Sequence, residues 1–218
     1  MQPALKTDKA TMTYEEFRQW AGEDTCAEWV DGEVILPTPP KRQHQGIVYF
    51  LTTLFGLYVE LTGQGEVIAA PFETFLPSRP ASREPDIIVV LGENLQRLSE
   101  ERFTGAPDLV VEVVSEDSVR RDRMEKFLEY EREGVREYWL IDSRPAHAGV
   151  EVFTLEQGSF VPLVPNEEDW LESRVLPGFR VRERWFTEET LPDVYSALSE
   201  MLSPELKQRI AQKLGIQL

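Results

Sequence analysis

An acid stands where a packed strand would carry an aliphatic side chain. In "DLVVEVVSED", residues 108–117, Glu112 interrupts a run of Leu and Val. A lone carboxylate is costly to bury, so such groups are paired, hydrogen-bonded, protonated or bound to metal. Glu112 therefore requires a partner. Strand alternation puts Asp108, Val110, Glu112 and Val114 on one face and Leu109, Val111 and Val113 on the other. Apart from the acid both interior faces are apolar, the pattern of a strand covered on both sides. A second acid, Asp86, opens "DIIVV" just after Pro85. If the two strands are neighbours, their carboxylates converge on one point. Paired carboxylate oxygens suit a hard divalent cation, Mg²⁺ or Mn²⁺, which keeps several waters and sits beside a substrate phosphate.

The segment "SVRRDRMEKFLEYEREG" that follows reads as a helix, with Val119, Met124, Phe127 and Leu128 as its apolar side and Gly134 as its stop. Asp122, Lys126 and Tyr130 recur every four residues, on a stripe away from Met124 and Leu128. A lysine on that stripe, near a metal-bound phosphate, can stabilise charge on the phosphoryl oxygens or orient an attacking water. Two acids, one lysine and one cation compose a site for phosphodiester hydrolysis. Arg120, Arg121 and Arg123 join Lys126 in a locally positive patch, to which Lys41 and Arg42 add. Such patches position phosphates.

These residues must be held by an ordered set of elements. Thr13 followed by Glu16 is a capping-box pattern opening a short helix. Asp31-Gly32 inside "EWVDGEVIL" marks a two-residue hairpin turn. Ile47, Phe50, Leu51, Leu54, Tyr58 and Leu61 recur at helical spacing, with Gly63 and Gly65 to end that helix. Three strands are expected in "EVIAAPFETFL", "PDIIVVL" and "DLVVEVV", then the helix bearing Lys126, then strands in "REYWLID", "GVEVFTL" and "GSFVPLV". Helix, three strands, helix, strand implies an α/β fold with a mixed sheet, its last two core strands joined by a helical crossover. Residues 1–186 are expected to form one domain. Residues 187–218 form a C-terminal extension of two helices broken near Ser203-Pro204.

Composition narrows the chemistry. A 218-residue chain that is 41% hydrophobic is long enough to bury a full core. A net charge of −16 argues against a broadly basic surface of the kind that binds nucleic acid non-specifically. Cys26 is the only cysteine, so no intrachain disulfide forms, and a reducing cytoplasm is the expected location. Two histidines and one cysteine leave no structural zinc set. Neither a G-x-S-x-G elbow nor a P-loop occurs. The start of the chain has no signal-peptide core, and "IVYFLTTLFGLYV" is too short to cross a bilayer, so no membrane partner is expected. Tyr138, Trp139, Trp170 and Trp185 are expected in the core or at its rim.

"PDIIVV", "GAPDLVVEVVSEDS" and "RRDRMEKFLEYEREGVREYWLID", preceded by "MTYEEF", "EWVDGEV" and "PPKRQH", resemble the Uma2 family of the PD-(D/E)XK nuclease superfamily. The resemblance covers roughly residues 12 to 160. It implies a restriction-endonuclease-like core in which Asp86 and Glu112 hold the divalent metal. The superfamily's lysine stands two residues after the second acid, a position filled here by Val114, and the resemblance places that role on Lys126 of the next helix. Glu28 and His44 match further family positions and are auxiliary candidates beside Asp122 and Tyr130. The implied activity is a Mg²⁺- or Mn²⁺-dependent endonuclease acting on DNA, leaving a 5′-phosphate and a 3′-hydroxyl. A homodimer is also implied, with the C-terminal helices or the hairpin at the contact. Two other readings stay open: a non-catalytic interaction protein on a nuclease scaffold, favoured by the net charge, and a hydrolase of small phosphodiesters or nucleotides.

Overall fold

The helix-to-strand order read from the sequence is realised in a computed structural model that describes residues 11–22 and 25–215. The start of the chain, residues 1–10, read above as lacking a signal-peptide core, lies outside the described residues. Helix α1 (Tyr14–Ala21) opens on the capping box, with Thr13 Oγ1 accepting from Glu16 N–H and Glu16 Oε2 accepting from Thr13 N–H. Strands β1 (Glu28–Val30) and β2 (Glu33–Ile35) form the hairpin. Its turn residues Asp31 and Gly32 both have positive φ, as a two-residue turn matching strand twist requires. Helix α2 (Arg42–Thr62) ends at Gly63, in the left-handed conformation.

Next come β3 (Gly65–Ala69), β4 (Glu73–Leu76), β5 (Ala81–Arg83), β6 (Ile87–Leu91), β7 (Arg102–Thr104) and β8 (Leu109–Val114). A π-helical segment, Arg121–Lys126, runs directly into α3 (Phe127–Glu133). Then follow β9 (Glu137–Asp142), β10 (Gly149–Glu156), β11 (Ser159–Pro162), β12 (Trp170–Glu172), β13 (Arg180–Arg182), α4 (Arg184–Thr187), α5 (Val194–Met201) and α6 (Pro204–Leu214).

Six strands form the central mixed sheet in the order β11-β10-β9-β8-β6-β3. β8 and β9 are parallel, joined by the π segment and α3, which is the expected crossover. One face of this sheet (Ile87, Val89, Leu109, Val111, Val113, Trp139, Ile141) packs under α2, α4 and α5. Ala197, Met201 and Leu202 of the C-terminal helices and their junction belong to that same core. The other face (Ile88, Val90, Val110, Val114, Tyr138, Leu140) meets Tyr130 of α3 and a second sheet. Burial on both sides explains why β8 reads as nearly continuous aliphatic sequence.

The second sheet, β2-β1-β5-β4-β7, departs from expectation. "EVIAAPFETFL" is not one strand: it divides at Pro71, which has no N–H to donate, into β3 of the central sheet and β4 of the second. β5 and β7 have only three residues each, too few for a periodic signal. Tyr138, Trp139, Trp170 and Trp185 are all buried, as expected. No helix among the described residues is long and apolar enough to cross a membrane.

Candidate active site

Asp86 and Glu112 stand opposite each other because β6 and β8 are antiparallel neighbours. Their register pairs Ile87 with Val111 and Ile88 with Val110, and its continuation sets Asp86 opposite Glu112. Asp86 Oδ2 accepts the N–H of Val113 at 2.7 Å, and Oδ1 lies 3.0 Å from Nε2 of His44, in the first turn of α2. The Asp86 side chain stays 17% exposed, whereas that of Glu112 is only 4% exposed. Asp86 therefore stands at the rim of the site and Glu112 at its floor.

Glu112 has direct protein partners. Its Oε1 accepts from Lys126 Nζ at 2.8 Å and from the Tyr130 hydroxyl at 2.7 Å. Lys126 Nζ also lies 3.0 Å from Glu28 Oε1 and 3.8 Å from Asp122 Oδ1. The Asp122-Lys126-Tyr130 stripe is thus the buried face of its helix, and here the sequence expectation is corrected. Met124 and Leu128, assigned to the apolar packing side, are exposed, while Val119 and Phe127 do pack against the core. The face opposite β8 is set by the carboxylate of Glu112, which demands donors once buried, and an aliphatic face would leave it unpaired.

Glu28 reaches the cluster from the second sheet. The β1–β5 register pairs Trp29 with Ser82, and its continuation puts Glu28 across from Arg83. Arg83 is fully buried: Nη1 donates to Glu28 Oε2, while Nε and Nη2 grip both oxygens of Glu129 on α3, all at 2.8 Å. Arg83 and Glu129 were not legible as site residues. Arg83 sits on a three-residue strand, and the one available signal was the surplus of acids, which requires cations somewhere.

Charge balance sets the protonation states. Burial pushes Glu112 up to about 8; Lys126 opposes this, and the charges of Asp122, Asp86 and Glu28 reinforce it. Burial also opposes ionisation of Glu28, but Lys126, Arg83 and Arg121 outweigh it and bring that carboxyl down to about 2. Asp122 is raised, chiefly by burial. Burial disfavours charge on Lys126, yet Glu112, Glu28 and Asp122 overcome it and hold the ammonium protonated well above its ordinary range. For His44 too, burial is overcome by the bond to Asp86 and the charges of Asp86 and Asp122, and its pKa rises.

The family model of Uma2, described as "Putative restriction endonuclease", matches residues 14–185. This chain belongs to the Uma2 family. The match takes in every residue of the cluster, from Glu28 to Tyr130, and ends before α5. The crystal structure of a protein from Anabaena variabilis, described as a putative nuclease belonging to DUF820, is similar to it. The TM-score is 0.61 at 20% identity, over 88% of this chain and 99% of that one. A likeness at that identity shows a shared fold. No curated protein matches the chain.

Among the described residues of this Uma2 protein, no group of three or more His, Cys, Asp or Glu side chains is arranged to hold a metal ion. The fit of a divalent cation therefore rests on the carboxylates Asp86 and Glu112. They would supply hard oxygen donors from facing positions, where burial first, and the charges of Asp122, Asp86 and Glu28 after it, hold a proton on Glu112 near neutral pH. A cation would offset the contribution of those neighbouring acids and favour the ionised carboxylate. The three arginines separate: Arg120 is exposed beside Glu125, and Arg123 is committed to Asp142 and Glu151. Only Arg121 approaches the cluster, 3.9 Å from Glu28.

Proposed function

We propose that this protein is a metal-dependent endonuclease that hydrolyses phosphodiester bonds, with DNA as its substrate. The observation that carries this reading is the opposition of Asp86 and Glu112 across β6 and β8, with the Lys126 ammonium bonded to Glu112. The family's description as a restriction endonuclease supports the same reaction class. Asp86 and Glu112 would hold Mg²⁺ or Mn²⁺. Such an ion, when bound, polarises a phosphoryl oxygen and makes water a better nucleophile at neutral pH.

The chain's own groups have distinct parts. His44 Nε2 and the Val113 N–H hold the two oxygens of Asp86. Tyr130 fixes the orientation of Glu112. Lys126 stays protonated, so it serves as a fixed positive charge beside the reacting phosphate and not as a base. Glu28 and Asp122 hold that ammonium in place.

Calorimetric titration with Mn²⁺ tests the carboxylate site: wild type binds, and Asp86→Ala and Glu112→Ala do not. Plasmid nicking with Mg²⁺ or Mn²⁺, lost in both variants and in Lys126→Ala, tests the chemistry. A wild-type protein that takes up no Mn²⁺ and nicks no DNA would leave the buried ion pair as scaffold alone. Nicking that persists in Asp86→Ala would point to another site.

A further inference from the structure

Three cations reach the Glu28 carboxylate, and two of them satisfy it. Oε2 accepts from Arg83 Nη1 at 2.8 Å, and Oε1 lies 3.0 Å from Lys126 Nζ and accepts the Glu84 N–H at 3.3 Å. Arg121 Nε stands 3.9 Å from Oε2, beyond hydrogen-bonding range. That nitrogen is buried and has no hydrogen-bond partner among the described residues. About a quarter of the Arg121 side chain nevertheless meets solvent. A buried donor left unpaired is costly, and a missing ligand or water commonly accounts for one.

The helical geometry singles out the same residue. Arg121 and Lys126 are the first and last residues of the π segment, whose wider i→i+5 turn rotates each successive residue by less than an α-helix does. A regular α-helix would turn Lys126 roughly 140° away from Arg121. The wider turn brings both cations to one side while Asp122 stays buried.

We infer that Arg121 receives the phosphate oxygens of the substrate at the rim of the carboxylate cluster, an assignment that rests on the phosphodiester reading of that site. A guanidinium offers a planar fork of donors that matches two phosphate oxygens at once. On a chain of net charge −16, a cation beside the acids whose Nε donor has no hydrogen-bond partner among the described residues also offsets the repulsion a polyanion meets there.

The test measures binding without turnover: fluorescence anisotropy of a labelled duplex oligonucleotide in Ca²⁺, and calorimetry with inorganic phosphate. Arg121→Gln should weaken duplex binding about tenfold or more and lower the log-log salt slope by about one. Arg121→Lys should fall between, since it keeps the charge but loses the fork. Arg120→Gln should leave affinity near that of wild type, and Arg123→Gln should lower Tm without weakening binding. The Tm of Arg121→Gln should fall by less than that of Arg123→Gln, because Arg121 makes only the 3.9 Å approach to Glu28 whereas Arg123 bonds Asp142 and Glu151 directly; a larger fall would mark Arg121 as structural. Unchanged affinity in Arg121→Gln, or wild-type protein that binds neither probe, overturns the assignment. Arg121-dependent binding of phosphate without binding of the duplex keeps the assignment and removes nucleic acid as the substrate.

Discussion

Replacing Arg83 by Met keeps most of the side-chain volume and removes the charge that joins the second sheet to α3. In the native protein the guanidinium is fully buried and makes three bonds of 2.8 Å, one to Glu28 and two to Glu129. After substitution Glu28 keeps Lys126 at 3.0 Å, but Glu129 loses the donors to both its oxygens. Breaking a buried pair by deleting one partner costs about 3–5 kcal/mol, because the other charge stays behind without compensation. For a chain of this length that corresponds to a fall in Tm of roughly 6–20 °C. The assay is thermal unfolding followed by circular dichroism at pH 7. Arg83→Met with Glu129→Gln should recover part of the loss, since the stranded charge is gone, and the double-mutant cycle reports the coupling. Arg83→Lys should fall between wild type and Met, because one ammonium cannot reproduce the fork. A single variant as stable as wild type, or a double variant no better than the single, would refute the claim that this buried guanidinium holds the two layers together.

Acid should destabilise the protein through Glu28. Its folded value of about 2 lies below the ordinary 4.5, so its stabilisation is complete above pH 4.5 and lost as pH falls toward 2, worth about 3 kcal/mol. Glu28→Gln should flatten that limb of a stability-pH curve. Glu112 acts in the opposite sense: with its folded value raised to about 8, its contribution is complete below pH 4.5 and is lost as pH rises through 8, a dependence that Glu112→Gln should abolish in urea unfolding. Tyr130→Phe removes one bond to Glu112, whose Oε1 keeps Lys126, and should cost about 0.5–1.5 kcal/mol by the same measurement at pH 7, where Glu112 holds its proton. Glu137→Ala strands the Trp139 indole N–H and the Arg174 N–H, while the Val175 N–H keeps Ser173 Oγ, which should cost about 2 kcal/mol or more and lower Tm without touching the carboxylate cluster.

Much of the central sheet was legible locally. Alternation in "DLVVEVVS" gave the two faces of β8, glycines marked the ends of α2 and α3, and the order of elements implied the parallel crossover between β8 and β9. Glu112 announced itself because an acid among aliphatic residues has few physical justifications. Beyond the β1–β2 hairpin the second sheet was hidden, since β5 and β7 are too short to show a period and the β1–β5 and β4–β7 pairings join residues far apart in sequence.

By itself the sequence determined that Glu112 would be buried and in need of a partner, that Asp86 opens a strand able to lie beside it, and that Asp122, Lys126 and Tyr130 share one helical stripe. Only the tertiary structure decided which way that stripe faces, and that Arg83 and Glu28 close the cluster from a different sheet. Hydrophobic periodicity reports which side chains avoid water. The facing of a charged stripe depends on what lies opposite it across space, and here that is an acid on another strand whose desolvation outweighs the exposure of Met124 and Leu128.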